Sequence, residues 1–222
     1  MTLYSYCLRY DAGSAPNPYW DVCTLVICKP AIRRLAQLGD WVVGLGAASS
    51  PMGDMSGHVV YAMRITQLMT LREYDVFCGS NLPGKIPKWA SRDYKKRVGD
   101  CIYSFSDVGG PTLRPSVHDE SNRRVDLGGM NALLSDYFYY FGDRPRELPK
   151  HLSPIIHPRQ GHKSRANAQY AGAFVEWIEG LDLKPNELYG EPQRKREIMA
   201  NSESAAACSR RDLDEDHDDE IC

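Results

Sequence analysis

The 222 residues carry 42% hydrophobic and 25% charged side chains, the balance of a globular protein long enough for one domain with its own core. No apolar run reaches the roughly 18 residues that span a bilayer, so a membrane protein is excluded, and the opening MTLYSYCLRYDAG lacks the basic-then-apolar pattern of a secretory leader. The formal charge of -2 is uneven: Asp212 to Cys222 holds seven acids and no Lys or Arg, and without it 27 Lys and Arg face 22 acidic residues. A basic body with an acidic tail suits an anionic ligand, although such a tail also serves as a simple solvated extension. The seven cysteines lack the paired spacing of a zinc ribbon and read as free thiols of a reduced, cytoplasmic protein.

Leu3 to Arg9 alternates in polarity and predicts an opening strand. Ala15-Pro16-Asn17-Pro18 forms a rigid loop, and Val22 to Cys28 is a second extended segment. Pro30 suits the first position of a short helix, which turns Ile32, Leu35 and Ala36 inward, Arg33 and Arg34 to water, and stops at Gly39. Trp41 to Gly44 and the alternating His58 to Thr66 predict further strands. Thr70-Leu-Arg-Glu73 is a capping box opening a short helix to Tyr74. A long basic connection, Gly79 to Arg97, leads through Gly99-Asp100 to a strand at Cys101 to Phe105. Val108 to Arg124 is a polar loop holding His118-Asp119-Glu120. Ala132 to Phe141 reads as a final strand, broken at Ser135-Asp136. Beyond Ser164, Tyr170, Phe174, Trp177, Ile178 and Leu181 share one helical face.

This order predicts an α+β fold: a mainly antiparallel sheet, curled or closed into a small barrel, with flanking helices. The globular part runs over 1–183. Residues 184–222 show no apolar periodicity and are expected to be a disordered or weakly helical tail, dispensable for folding.

Cys28 closes an apolar segment just before a helix that opens on Lys29 and Pro30. The helix end and neighbouring cations favour a thiolate there, which makes Cys28 a candidate nucleophile; a small buried plug is the plainer reading. His118 and His162 are the candidate bases. The Asn17 amide, held between prolines, could read a base edge or cap its own turn. Lys29, Arg33 and Arg34 are candidate phosphate ligands, as are Gln160, His162 and Lys163 in the Arg159–Ser164 segment before the late helix. Tyr140, in the aromatic run Tyr137 to Phe141, is a candidate stacking ring, with one face of that run reserved for the core. No residue set points to a metal, and no cofactor is indicated. Gly44-Leu-Gly46 lacks the third glycine of a dinucleotide fingerprint.

The block APNPYWDVCTLVICKPAIRRLAQLGDWVVGLG, followed by HVVYAMRIT, GDCIY, DYFYYFG and RQGHK, resembles the second type of nucleotide-modification-associated domain, a family of bacteria and their viruses. The resemblance runs from about Leu3 to Leu181. It implies a role in making or handling modified nucleotides or bases, in a phage or phage-defence setting, with nucleotide or nucleic acid as partner. It assigns no catalytic residue. A weaker, fold-level similarity is to the small PUA, ASCH and EVE barrels that read modified bases. Three functions follow as expectations: a protein recognising a nucleotide or base, a cysteine-dependent enzyme acting on a modified nucleotide or base, or a non-catalytic reader of modified DNA or RNA.

Overall fold

Alternation along the opening strand and along the Trp41 and His58 segments puts apolar side chains on both faces, which demands a sheet covered on two sides. The computed structural model, which describes residues 1–106, 108–157 and 161–200, has that arrangement. In chain order the elements are β1 (Leu3–Leu8), β2 (Cys23–Leu25), α1 (Pro30–Leu35), β3 (Trp41–Gly46), β4 (His58–Arg64), β5 (Gln67–Thr70), α2 (Leu71–Ser80), α3 (Tyr94–Arg97), β6 (Tyr103–Ser104) and β7 (Thr112–Leu113). There follow α4 (Arg123–Gly128), β8 (Asn131–Ser135), β9 (Phe138–Tyr140), β10 (Arg146–Glu147), β11 (His162–Lys163), α5 (Ala171–Glu179), β12 (Glu187–Leu188) and α6 (Lys195–Ala200).

The main sheet runs β11-β1-β3-β4-β9-β12, with β10 also on β4. Its β1–β3 and β9–β12 pairs are parallel and the rest antiparallel. Tyr4, Tyr6, Leu8, Val42, Tyr61, Met63 and Tyr140 point to one face, where α1 and the small antiparallel sheet β2-β8-β5 cover them. Leu3, Trp41, Val43, Leu45, Tyr139 and Phe141 point to the other and pack on Phe174 and Ile178 of α5. The expected capping box is present: the Thr70 hydroxyl accepts from the Glu73 N–H, and Glu73 accepts from the Thr70 N–H. No helix of the described residues is long and apolar enough to cross a membrane.

The mixed α and β content and the largely antiparallel pairing agree with the predicted class, but no sheet among the described residues closes into a barrel. The predicted single sheet is also divided. Ala132 to Phe141 breaks at Ser135, whose hydroxyl bonds the backbone of Tyr137, so β8 joins the small sheet and β9 the main one. Tyr103–Ser104 pairs with β7 alone. Both faces of the Tyr137–Phe141 run are core, where one was expected to remain free.

The folded body extends past residue 183. β12 pairs with β9 through main-chain bonds, the Arg194 N–H donates to the Asp11 carbonyl at 3.0 Å, and Ile198 sits 2% exposed among Tyr94, Val98 and Ile102. Ile198→Ala should therefore lower unfolding free energy by about 2–5 kcal/mol. A urea midpoint equal to that of the wild type would show that α6 is peripheral to the core.

Candidate active site

The turn between β2 and α1 carries Cys28 and Lys29 at φ 57° and 40°, two successive left-handed residues without a glycine. That conformation costs about 1–3 kcal/mol per residue and persists only where surrounding contacts impose it. Here they do so from both sides. The Cys28 N–H donates to Asp126 Oδ1 at 2.9 Å, and the Cys28 carbonyl accepts from Arg33 Nε at 2.7 Å. Pro30 then opens α1 as its first residue.

His118 reaches the same place from the loop before α4. The Asp119 side chain caps the next turn and exchanges bonds with Asn122, which fixes the chain just after the imidazole. His118 Nδ1 lies 2.6 Å from Asp126 Oδ2, and His118 Nε2 lies 3.6 Å from Cys28 Sγ. The carboxylate thus sets the tautomer, with Nδ1–H towards Asp126 and Nε2 towards sulfur. The Tyr103 hydroxyl donates to the same Oδ2 at 3.2 Å. His118 and Asp126 are 2% and 1% exposed, while Cys28 is half-buried.

Burial alone would push the His118 pKa down. The Asp126 carboxylate, with the sulfur of Cys28, outweighs it and holds the imidazolium well above the usual histidine range. Asp126 also pays a burial penalty, but His118⁺, the Cys28 N–H and Arg33 bring it below the ordinary carboxylate value. The pair is ionised, and an imidazolium beside a thiol favours the thiolate.

Arg33 holds this arrangement from beneath. Its guanidinium is fully buried and donates to the carbonyls of Cys28, Val125, Asp126 and Asn131. Gly129 makes room for it, since a Cβ there would meet Arg33 Cζ at 2.1 Å. The expectation that Arg33 faces water or phosphate is corrected: charge was legible in the sequence, the four carbonyls that absorb it were not.

The three donor atoms of Cys28, His118 and Asp126 lie within 4.8 Å of one another, close enough to raise a metal site. The ring geometry sets Asp126 apart from the sulfur in such a set. Asp126 occupies Nδ1 and sulfur faces Nε2, and one ion cannot take both ring nitrogens.

Of the residues singled out from the sequence, the structure brings Cys28 and His118 together, with Lys29 next to them and its ammonium 5.0 Å from the Tyr6 ring centroid. Asn17 is corrected to a scaffold residue. It is fully buried, donates to the Val98 carbonyl, and accepts from the Tyr19 N–H and the Lys85 ammonium, so its amide offers no edge to a base. Tyr140 is likewise buried, donating to Asp11 Oδ2 at 2.5 Å, and cannot stack on a ligand. Burial raises Asp11 to a pKa of about 6 in spite of that bond. Arg34 is exposed and donates to the Gly128 carbonyl. His162 is buried on β11 opposite Tyr6, its ring 6.1 Å from that of Tyr4. Lys163 donates to the Pro154 and Ile156 carbonyls. Gln160 lies outside the described residues. Sequence reasoning missed Asp126, which stands eight positions after His118 on a helix not predicted, and Tyr103; neither spacing forms a local motif.

A thiol, an imidazole and a carboxylate in this order of contact have the arrangement of a cysteine–histidine–aspartate site. The chain belongs to the family described as nucleotide modification associated domain 2, which it matches over residues 1–199. No curated protein and no solved structure matches it.

Proposed function

We propose that the protein is a cysteine-dependent enzyme that acts on a modified nucleotide or base by acyl transfer. The observation that carries this is the continuous contact Cys28 Sγ–His118 Nε2–Nδ1–Asp126 Oδ2, in which Cys28 is the one member that is not fully buried. The family supplies the association with nucleotide modification. The triad adds the reaction type.

The thiolate attacks the carbonyl carbon of an acyl group attached to the nucleotide through nitrogen or oxygen. A C–S bond forms, and His118 gives the Nε2 proton to the departing amine or alcohol as the old C–N or C–O bond breaks. Water then attacks the thioester, Nε2 takes its proton, and the C–S bond breaks to release the acid. The Cys28 N–H is committed to Asp126, so other donors must meet the developing oxyanion. Lys29, adjacent in the chain, supplies positive charge on that side.

Alkylation by iodoacetamide tests the site without a substrate. Cys28 should react faster than Cys23, which is fully buried and whose pKa burial raises to about 12. Its rate should stay high below pH 7, where an ordinary thiol with a pKa of about 8.5 has lost its thiolate. In Asp126→Asn the carboxylate is gone and burial of the imidazole dominates. The His118 pKa falls, the ring is neutral at pH 7, and alkylation there should drop by about tenfold or more. Slow labelling of wild-type Cys28 at pH 6 to 8 would exclude the cysteine mechanism and favour a non-catalytic reader.

A further inference from the structure

A second concave site is built from segments that the triad does not use. A cleft of about 490 Å³ is lined by Trp20, Asp21, Asn81, Gly84, Lys88 and Lys96, among others. That volume is in the range of pockets that enclose small ligands, about 300–1,000 Å³.

Three features show the cleft to be shaped. Trp20 and Asp21 are successive left-handed residues at φ 67° and 62°, a conformation that a bulky tryptophan rarely adopts. The indole is seated against the Gly84 backbone, where a Cβ would meet Trp20 Cε2 at 2.4 Å. Its Nε1–H is buried and has no acceptor among the described residues. The Nε1 side of the ring thus faces Gly84, which holds the indole in one position at the cleft.

The charges sort themselves by chemistry. Lys88 and Lys96 are exposed, and the Lys88 N–H donates to the Lys96 carbonyl at 2.7 Å, which holds the two stretches of main chain together. Neither ammonium has an ion-pair partner among the described residues. Two lysines lining one cleft suit a phosphate. Asp21 is an acceptor and Asn81 both donor and acceptor, which suits the amino and carbonyl edge of a base rather than a second phosphate. An aromatic ring in a basic setting is the combination on which nucleic-acid bases stack.

We infer that this cleft binds one phosphate-bearing nucleotide unit, with its base at Trp20, its edge at Asp21 and Asn81, and its phosphate at Lys88 and Lys96. The unit belongs either to a free mononucleotide or to a single strand. The inference shares with the proposed function the expectation of a nucleotide ligand, but it does not depend on Cys28.

Two probes distinguish the sources: the four deoxynucleoside monophosphates by calorimetry, and a fluorescein-labelled ten-nucleotide single strand by anisotropy. Wild-type protein, the double variant Lys88→Gln/Lys96→Gln and Trp20→Leu are compared in low and moderate salt, with Cys28 alkylation read in parallel. Both variants should weaken binding at least about tenfold, and the double variant should flatten the salt dependence. Binding of a monophosphate assigns the cleft to free nucleotides; binding of the strand alone assigns it to polymer. The double variant changes only exposed side chains, so it decides the matter even if Trp20→Leu fails to fold. Absence of wild-type binding to every probe at millimolar concentration, or undiminished binding by the double variant, would overturn the inference. Fast Cys28 alkylation in that event leaves the enzyme reading standing, and slow alkylation with intact cleft binding removes the enzyme reading alone.

Discussion

Cys28→Ser should abolish turnover, by at least about 10³-fold, while leaving the fold and ligand binding in place. The serine hydroxyl keeps the size of the thiol and loses its ionisation, so the His118⁺–Asp126⁻ pair remains with no thiolate opposite it. The effect is large because the nucleophile and its base act as a unit, and the remaining contacts only bind. Intact-mass spectrometry gives a direct reading. Wild-type protein incubated with acylated nucleotides should show an acyl adduct that maps to Cys28 and disappears with hydroxylamine, and the serine variant should show none. A serine variant that matches wild-type turnover would end the mechanism. His118→Ala should also lose turnover but retain a slow adduct at alkaline pH, where the thiol ionises unaided.

The second large effect lies in a separate buried network, at Lys85. This lysine is fully buried, and its ammonium donates to the Asn17 carbonyl and side chain, the Val22 carbonyl and the Thr24 hydroxyl at 2.7 to 2.9 Å. Thr24 in turn donates to Asp100 Oδ2 at 2.5 Å, and Tyr74 to Oδ1. Burial lowers the Lys85 pKa, opposed by the charge of Asp100, and burial raises that of Asp100. Lys85→Met leaves several oxygens and one carboxylate without their cation, which should cost about 3–5 kcal/mol in urea unfolding. Adding Asp100→Asn should return part of that loss, because the stranded charge is gone; the two changes are expected to be non-additive. A loss below about 1 kcal/mol for Lys85→Met would show that water or relaxation replaces the lysine.

Local signals in the sequence were reliable where the structure depends on local chemistry. Pro30 opening α1, the Thr70–Glu73 cap and the apolar face of α5 are all in place. Cys28 stood out because a strand end, a lysine and a proline are adjacent in the chain, and His118 because it is followed by Asp119 and Glu120. Their meeting was open in the sequence, since 90 residues separate them. Asp126 was hidden because its partners come from residue 28, residue 103 and residue 118 at once. The alternation of Ala132 to Phe141 was correctly seen, but alternation does not say which sheet a strand joins, and Ser135 redirects the chain between two. β12 was missed for a related reason: two exposed residues joined by main-chain bonds leave no apolar pattern to read.

The position of β1 in the sheet sets a timetable for synthesis. β1 lies between β3 and β11, so its outer edge is covered only when residues 162 and 163 arrive, and Asp11 and Tyr94 receive their last neighbours from residues 194 and 198. At roughly 5–20 residues per second, the ribosome needs on the order of 10–40 s to deliver those segments. Throughout that interval the first strand made presents an unpaired edge, the surface on which nascent chains stick to one another. Cys28, His118 and Asp126 have all been translated by then, before the partner of that edge exists. The vulnerable period of this edge is thus birth rather than working life, and it closes once residues 162 and 163 have emerged and paired.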